Sequence, residues 1–309
     1  MVAETSAVKK PKKYERSNSL MIKKRTPYLF TAPALILLIL MVFYPLSYGF
    51  YLSITDMSLK TFKDPNIIGF ANYVKILTDG KMFATLLRTV IWTVVNVSFH
   101  VSIGLWLAIL LNRKLPGKAI YRVLLIIPWA MPQYIAALTW KGMFNFKFGA
   151  VNILLQNLGM NPVNWLGDPT MTFIAAIITN IWLGCAFMMM ISLGGLQSIP
   201  NELYEAAEID GASNWHKFKN ITLPLLKPVL APSIVLGTVW TFNMLNVIII
   251  IAGGFGNDKT QILVTEVYRL AFMFYRYGYA AAYSVVIFFI LFIFVMTFMK
   301  FIKGTEEVR

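Results

Sequence analysis

Little in this chain can ionise, oxidise or hold a metal. Of 309 residues only 14% are charged, one is cysteine and two are histidine. A soluble domain ordinarily carries about 25% charged residues. This deficit, beside 58% hydrophobic residues, makes lipid the expected solvent. The single Cys185 excludes an intrachain disulfide and any domain stapled by one. With so few histidines and no H-E-x-x-H, no metal-ligand spacing is present. The run Met188–Met189–Met190 has soft sulfur, but adaptable packing in an apolar helix explains it. No nucleophile–base pair can be nominated. No G-x-x-x-x-G-K-[ST] loop occurs, so the chain has no Walker A site for ATP.

What the chain has instead is apolar length. Uncharged apolar runs of about 18 residues or more read as membrane-spanning helices. Six occur: Thr26–Thr55, Thr89–Asn112 (with His100 inside), Val123–Trp140, Pro169–Asn201, Pro228–Asn257 and Tyr277–Met299. A seventh uncharged run, Phe148–Gly167, holds four Asn and one Gln. Those amides would go unpaired in lipid, so it reads as an interfacial helix and loop. Eight Lys or Arg precede Pro27. The apolar run after them is too long for a signal peptide and ends in aromatics, which predicts an uncleaved first helix. The expected organisation is a basic tail over 1–27, a six-helix membrane domain over 28–302 and a short tail over 303–309.

Net charge is +14. Six spans place both termini on one side. Of the 28 basic residues, 18 fall on that side: the tail, Arg113, Lys114, Lys118, Arg122, Lys217, Lys219, Lys227, Lys300, Lys303 and Arg309. By the positive-inside rule both termini face the cytoplasm. The basic tail then serves as a topology signal that also touches anionic lipid. Nucleic acid is not an expected partner, because no recognisable binding fold accompanies the charge.

No Asp or Glu lies within any of the six runs. Ion- and proton-coupled transporters commonly carry ionisable groups there. A secondary transporter acting alone is therefore disfavoured, and mid-span amides and tryptophans argue against a mere membrane scaffold. The acids gather elsewhere: Glu202, Glu205, Glu208 and Asp210 crowd nine positions between two apolar runs. Pro200 suits a helix start, and acids suit its first turn. Gly211 reads as a left-handed helix end. Ser213 or Asn214 can cap a second short helix, "WHKFKN", before the fifth span. Interfacial lipid-binding helices are usually rich in Lys and Arg. This one carries four acids and no base, which suits a basic protein partner.

Glu205-Ala206-Ala207, three residues, Gly211, nine residues, Ile221, one residue and Leu223-Pro224 reproduce a spacing that resembles the EAA loop of binding-protein-dependent ABC importer permeases. The resemblance implies an all-α integral membrane protein of the type I importer permease fold, with a cytoplasmic coupling helix in the loop 200–228. That helix is implied to dock on a separate ATPase subunit, with Glu205 as charged anchor. Ala206, Ala207, Asp210 and Gly211 then belong to the close-packing and turn positions. ATP and Mg²⁺ are implied to bind on two ATPase subunits, so this chain carries no cofactor and is not itself an enzyme. A second homologous permease, a soluble extracytoplasmic binding protein and a bacterial or archaeal cytoplasmic membrane complete the implied setting.

"TAPALILLILMVFYPLSYGFYLSITD", "IIPWAMPQYIAALTWKGMFNFKFGAVN" and "NIWLGCAFMMMISLGGLQSIPNELYEAAEIDGAS" are similar to segments of carbohydrate permeases of the maltose-transporter type. The implied cargo is a sugar or oligosaccharide. Matching segments carries a sugar pocket onto Trp129, Gln133, Asn180, Gly184, Phe187, Trp240, Asn243 and Asn246. The residues themselves suit this: sugar rings stack on aromatics, and amides read hydroxyls. Asn180 and Gly184 share one helix face with Phe187, and Asn243 and Asn246 are expected to share another. The segment Asp258–Gly278 reads as a helix at the outer pore mouth. Glu266, Arg269 and Arg276 there are candidate contacts for a binding protein.

Overall fold

The computed structural model describes the backbone of residues 13–113 and 115–306 and the side chains of residues 26–113 and 115–302. Residues 1–12 of the basic tail, Lys114 and Arg309 lie outside the described residues. The chain divides into two units, Met1–Leu52 and Ser53–Arg309.

The first unit is one rod. Helix α1 (Lys13–Leu38) runs through positions 27 and 28, continues as a π turn over Ile39–Phe43, and ends as α2 (Tyr44–Ser53). Pro45 has no N–H to give the preceding turn, and a π turn accommodates that loss.

In the second unit a short α3 (Ala71–Thr78) leads to α4 (Gly80–Asn112), which begins well before Thr89. Asp79 caps it, its carboxylate accepting from Lys81 N at 2.9 Å. Arg88 is thereby inside the helix, where its guanidinium donates to Thr85 Oγ1 (2.9 Å) and Gln261 O (3.0 Å). Helix α8 (Pro169–Gln197) starts on the same logic: Asp168 accepts from Thr170 N and Met171 N, and Pro169 supplies the fixed φ of a first turn. Helices α4 and α8 form the central pair. A Cβ on Gly104 would lie 2.6 Å from Met188 Cβ and 2.7 Å from Met189 N, so only glycine permits their approach. Met188 and Met189 are buried in this seam as packing.

Two of the expected spans are broken. The third is two helices, α5 (Lys118–Ala130) and α6 (Gln133–Met143), bent by 95°. Pro132 cannot donate to the helix ladder and forces Met131 out of helical conformation, to φ −75° and ψ 140°. The fifth is α11 (Leu223–Phe242) followed, after Asn243–Leu245, by α12 (Asn246–Ala252). No proline or glycine marks that break. The Trp92 indole donates to Thr241 O at 2.8 Å, occupying a carbonyl that a continuing helix would use. The expected second short helix is present but does not end before the fifth span. The chain from α10 (Asn214–Lys217) passes through a π turn (Phe218–Thr222) into α11 without interruption.

Among the described residues, five helical stretches are long and apolar enough to cross a membrane: Thr26–Ser53, Gly80–Asn112, Pro169–Gln197, Asn214–Phe242 and Tyr277–Ile302. The bent pair brings the number to six if it counts as one span. The last belongs to α14 (Tyr277–Glu306). The amide-rich run forms α7 (Ala150–Asn157) and a loop folded around Asn152. The Asn152 amide donates to Phe146 O and Val163 O, and its oxygen accepts from Val163 N and Trp165 Nε1.

Candidate functional site

The two breaks and the α4–α8 pair enclose a cavity of about 500 Å³. The end of α5 supplies Trp129, and α6 begins with Gln133. Helix α8 contributes Asn180, Gly184 and Phe187, and the end of α11 gives Trp240 and Asn243. Of the eight residues proposed from sequence, these seven line one cavity. Asn246 does not line it. The break puts Asn243 at the end of α11 and Asn246 at the start of α12, so they share no helix face. Asn246 instead reaches Gln133, with 3.5 Å between its Nδ2 and Gln133 Oε1.

One wall is aromatic. Phe187 lies between Trp129, with ring centroids 6.4 Å apart at 26°, and Trp240, at 5.2 Å and 56°. Trp129 and Trp240 keep about half their surface exposed. The lining also holds a residue that sequence matching did not nominate. His100 of α4 is 4% exposed and sits 2.9 Å from the backbone oxygen of Asn180 through Nε2. A carbonyl can only accept, so Nε2 carries the proton. A Cβ on Gly184 would collide with the His100 ring, so this glycine is the space into which the imidazole packs. The signal was available: His100 is the lone histidine in an otherwise uncharged apolar run, and ionisable groups inside spans are functional candidates by default. Asn180 is buried, and its Nδ2 has no hydrogen-bond acceptor in the protein.

At one end of α4, a second surface is built by α9 (Asn201–Ile209) and α10. Gly211 takes φ +75°, the left-handed turn expected of it, and Ser213 Oγ accepts from His216 N to cap α10. Tyr204 and Thr222 hydroxyls are 2.9 Å apart, and Lys217 Nζ pairs with Glu208 at 2.6 Å. These bonds lock the two helices against each other. Glu208 is thereby engaged internally, whereas Glu205 is exposed with no ion pair or hydrogen bond among the described residues. Ala206, Asp210 and Gly211 are exposed beside it and Ala207 is half-buried. Ile209 is 87% exposed, an apolar tip on the same short helix.

The other end of α4 is closed by charge. Arg269 bridges Asp258 (2.6 Å) and Glu266 (2.7 Å), and Lys81 lies 3.5 Å from Asp258. The Arg269 hydrogen bond holds the Asp258 carboxyl below the usual carboxylate range. The expected helix over 258–278 is a 3₁₀ turn (Asp258–Thr260), α13 (Leu263–Tyr268) and a π turn (Arg269–Met273). Arg269 and Glu266 are spent on each other, and Arg276 lies over the Tyr279 ring at 4.4 Å. Arg276 has no ion pair among the described residues.

Residues 100–302 match the family model described as the binding-protein-dependent transport system inner membrane component. The chain belongs to this family. The match spans the cavity and the EAA loop alike, so both are parts of a permease. The trehalose/maltose transport system permease protein MalF of Thermococcus litoralis is 36% identical over 276 residues, covering 88% of this chain and 92% of that one. The galactooligosaccharides transport system permease protein GanP of Bacillus subtilis is 36% identical over 282 residues, 86% of this chain and 68% of that protein. A permease chain in the crystal structure of a bacterial ABC transporter that imports the acidic polysaccharide alginate superposes with a TM-score of 0.79 at 22% identity, over 93% of this chain and 99% of that one. The permease therefore has the all-α fold of ABC importer membrane subunits.

Proposed function

We propose that this permease moves a sugar or oligosaccharide across the cytoplasmic membrane by alternating access. It does so with a second homologous permease, two ATPase subunits that bind ATP and Mg²⁺, and a soluble extracytoplasmic binding protein. The cavity carries this reading: aromatics for sugar rings and amides for hydroxyls line it together. Relatives over most of the chain are sugar permeases by name, which supports the same cargo class. The exposed Glu205 and Ala206 on a rigid helix pair suit docking on an ATPase cleft, with both termini on that cytoplasmic side. Closure of the ATPase pair then tilts α8 and α11, the helices that flank the loop and line the cavity. No Asp or Glu stands within the membrane-crossing helices among the described residues, so no carboxylate in them is available to carry a coupling ion.

The test is uptake into proteoliposomes holding the whole importer. Sugar accumulation that requires both ATP and the binding protein is expected. Accumulation driven by a proton or sodium gradient without ATP would overturn the proposal.

A further inference from the structure

We infer that the cavity accepts uncharged saccharides and rejects uronates and sugar phosphates. The inference rests on the reading of this chain as a sugar permease, and it narrows the cargo within that class. Among the described residues of this chain, no Lys, Arg, Asp or Glu lines the cavity. Its one titratable side chain, His100, already gives its Nε2 proton to the Asn180 carbonyl. A carboxylate or phosphate entering here leaves water without meeting a cation of this chain, and an unpaired buried charge is strongly disfavoured.

The aromatic wall adds to this. Ring faces carry the negative side of the quadrupole. Trp129, Phe187 and Trp240 therefore favour the slightly positive C–H faces of a neutral sugar and repel an anion. The amides point the same way. Asn243 Nδ2 donates to Val239 O at 2.9 Å, which leaves its oxygen as a free acceptor. Gln133 Oε1 faces Asn246 Nδ2, which leaves the Gln133 Nε2 hydrogens as donors. Asn180 Nδ2 has no acceptor at all. The lining thus mixes donors with an acceptor. A hydroxyl both donates and accepts and satisfies such a set. A carboxylate only accepts, and meets the Asn243 oxygen with repulsion.

The experiment is tryptophan fluorescence of the purified complete importer in lipid nanodiscs, without its binding protein, so that the binding protein's own selectivity plays no part. The probes are maltose and trehalose, against a galacturonic acid dimer and glucose 6-phosphate. Saturable quenching by a neutral sugar, at least about tenfold tighter than by either acid, is expected. The Asn180→Leu complex should lose that quenching while keeping its subunit stoichiometry. Binding of an acidic probe as tightly as the neutral ones overturns this inference and leaves the sugar reading standing. Quenching by no probe, or quenching unchanged in Asn180→Leu, overturns this inference, while the sugar reading stands or falls on the ATP-dependent uptake test.

Discussion

Adding one methyl group at Gly184 tests the geometry of the cavity wall. In Gly184→Ala the new Cβ overlaps His100 Cε1 and Nε2. The imidazole has two responses. It can stay bonded to the Asn180 carbonyl and accept the overlap, which as core overpacking costs about 1–3 kcal/mol. Or it can swing away and leave a buried donor without its acceptor, which also costs about 1–3 kcal/mol. The same helix supplies the control. A Cβ on Gly194 meets nothing within 4 Å, so Gly194→Ala should gain the helix preference of alanine, about 0.5–1 kcal/mol. The two substitutions, ten residues apart on α8, should thus move apparent melting temperature in opposite directions, with stabilities separated by about 1.5–4 kcal/mol. The assay is thermal denaturation of the detergent-solubilised importer, with sugar uptake measured in parallel. The double variant His100→Ala/Gly184→Ala removes the ring that the methyl strikes. It should be no less stable than His100→Ala alone. If Gly184→Ala melts with Gly194→Ala, or if His100→Ala does not relieve it, the close packing described here is wrong.

Three further outcomes are expected. Gly211→Pro cannot adopt the φ of +75° at the turn, so the importer should assemble and hydrolyse ATP but lose uptake; Glu205→Ala should weaken the same coupling, and intact uptake in vesicles by Gly211→Pro would falsify the coupling role. Asn243→Leu removes an amide from the cavity and a cap bond to Val239 O, so uptake should fall about fivefold, a loss of about 1 kcal/mol, while the ATPase subunits still co-purify. Because the Arg269 hydrogen bond lowers the folded-state carboxyl of Asp258, its stabilisation is present above the ordinary carboxylate range, near pH 4, and is lost as pH falls through the lowered value; hydrogen exchange of residues 255–262 should accelerate in that acid window for the native chain, and Asp258→Asn should exchange fast at neutral pH with the acid step abolished.

The apolar runs made most crossing helices legible, because lipid demands length and little else. The break at Met131–Pro132 was visible as a proline but hidden by apolar residues on both sides. The break at Asn243–Leu245 was not legible, since its cause is the Trp92 indole reaching Thr241 O from a helix about 150 residues away. The same break separated Asn243 from Asn246, which a continuous helix would have placed together. The short acidic helix α9 and the glycine turn after it could be read from the acids, the glycine and the spacing. Which acids stay free could not: Glu208 pairs with Lys217 across a turn that only the fold defines. His100 stood in plain sight as an isolated polar residue, but its partner is a backbone carbonyl, and backbone carbonyls leave no mark in a sequence.

The two interrupted spans have a consequence for how recognition can be changed. Each interruption leaves a helix end beside the cavity, and each end offers peptide N–H or C=O groups with no partner in their own helix. Gln133 opens α6, and Phe242 closes α11 beside Asn243. Peptide groups survive every side-chain substitution. Replacing the amides and aromatics one at a time will retune the pocket but leave a residual affinity for hydroxyls written into the course of the main chain. A relative with a different preference among neutral sugars can therefore differ at a few side chains and keep both elbows.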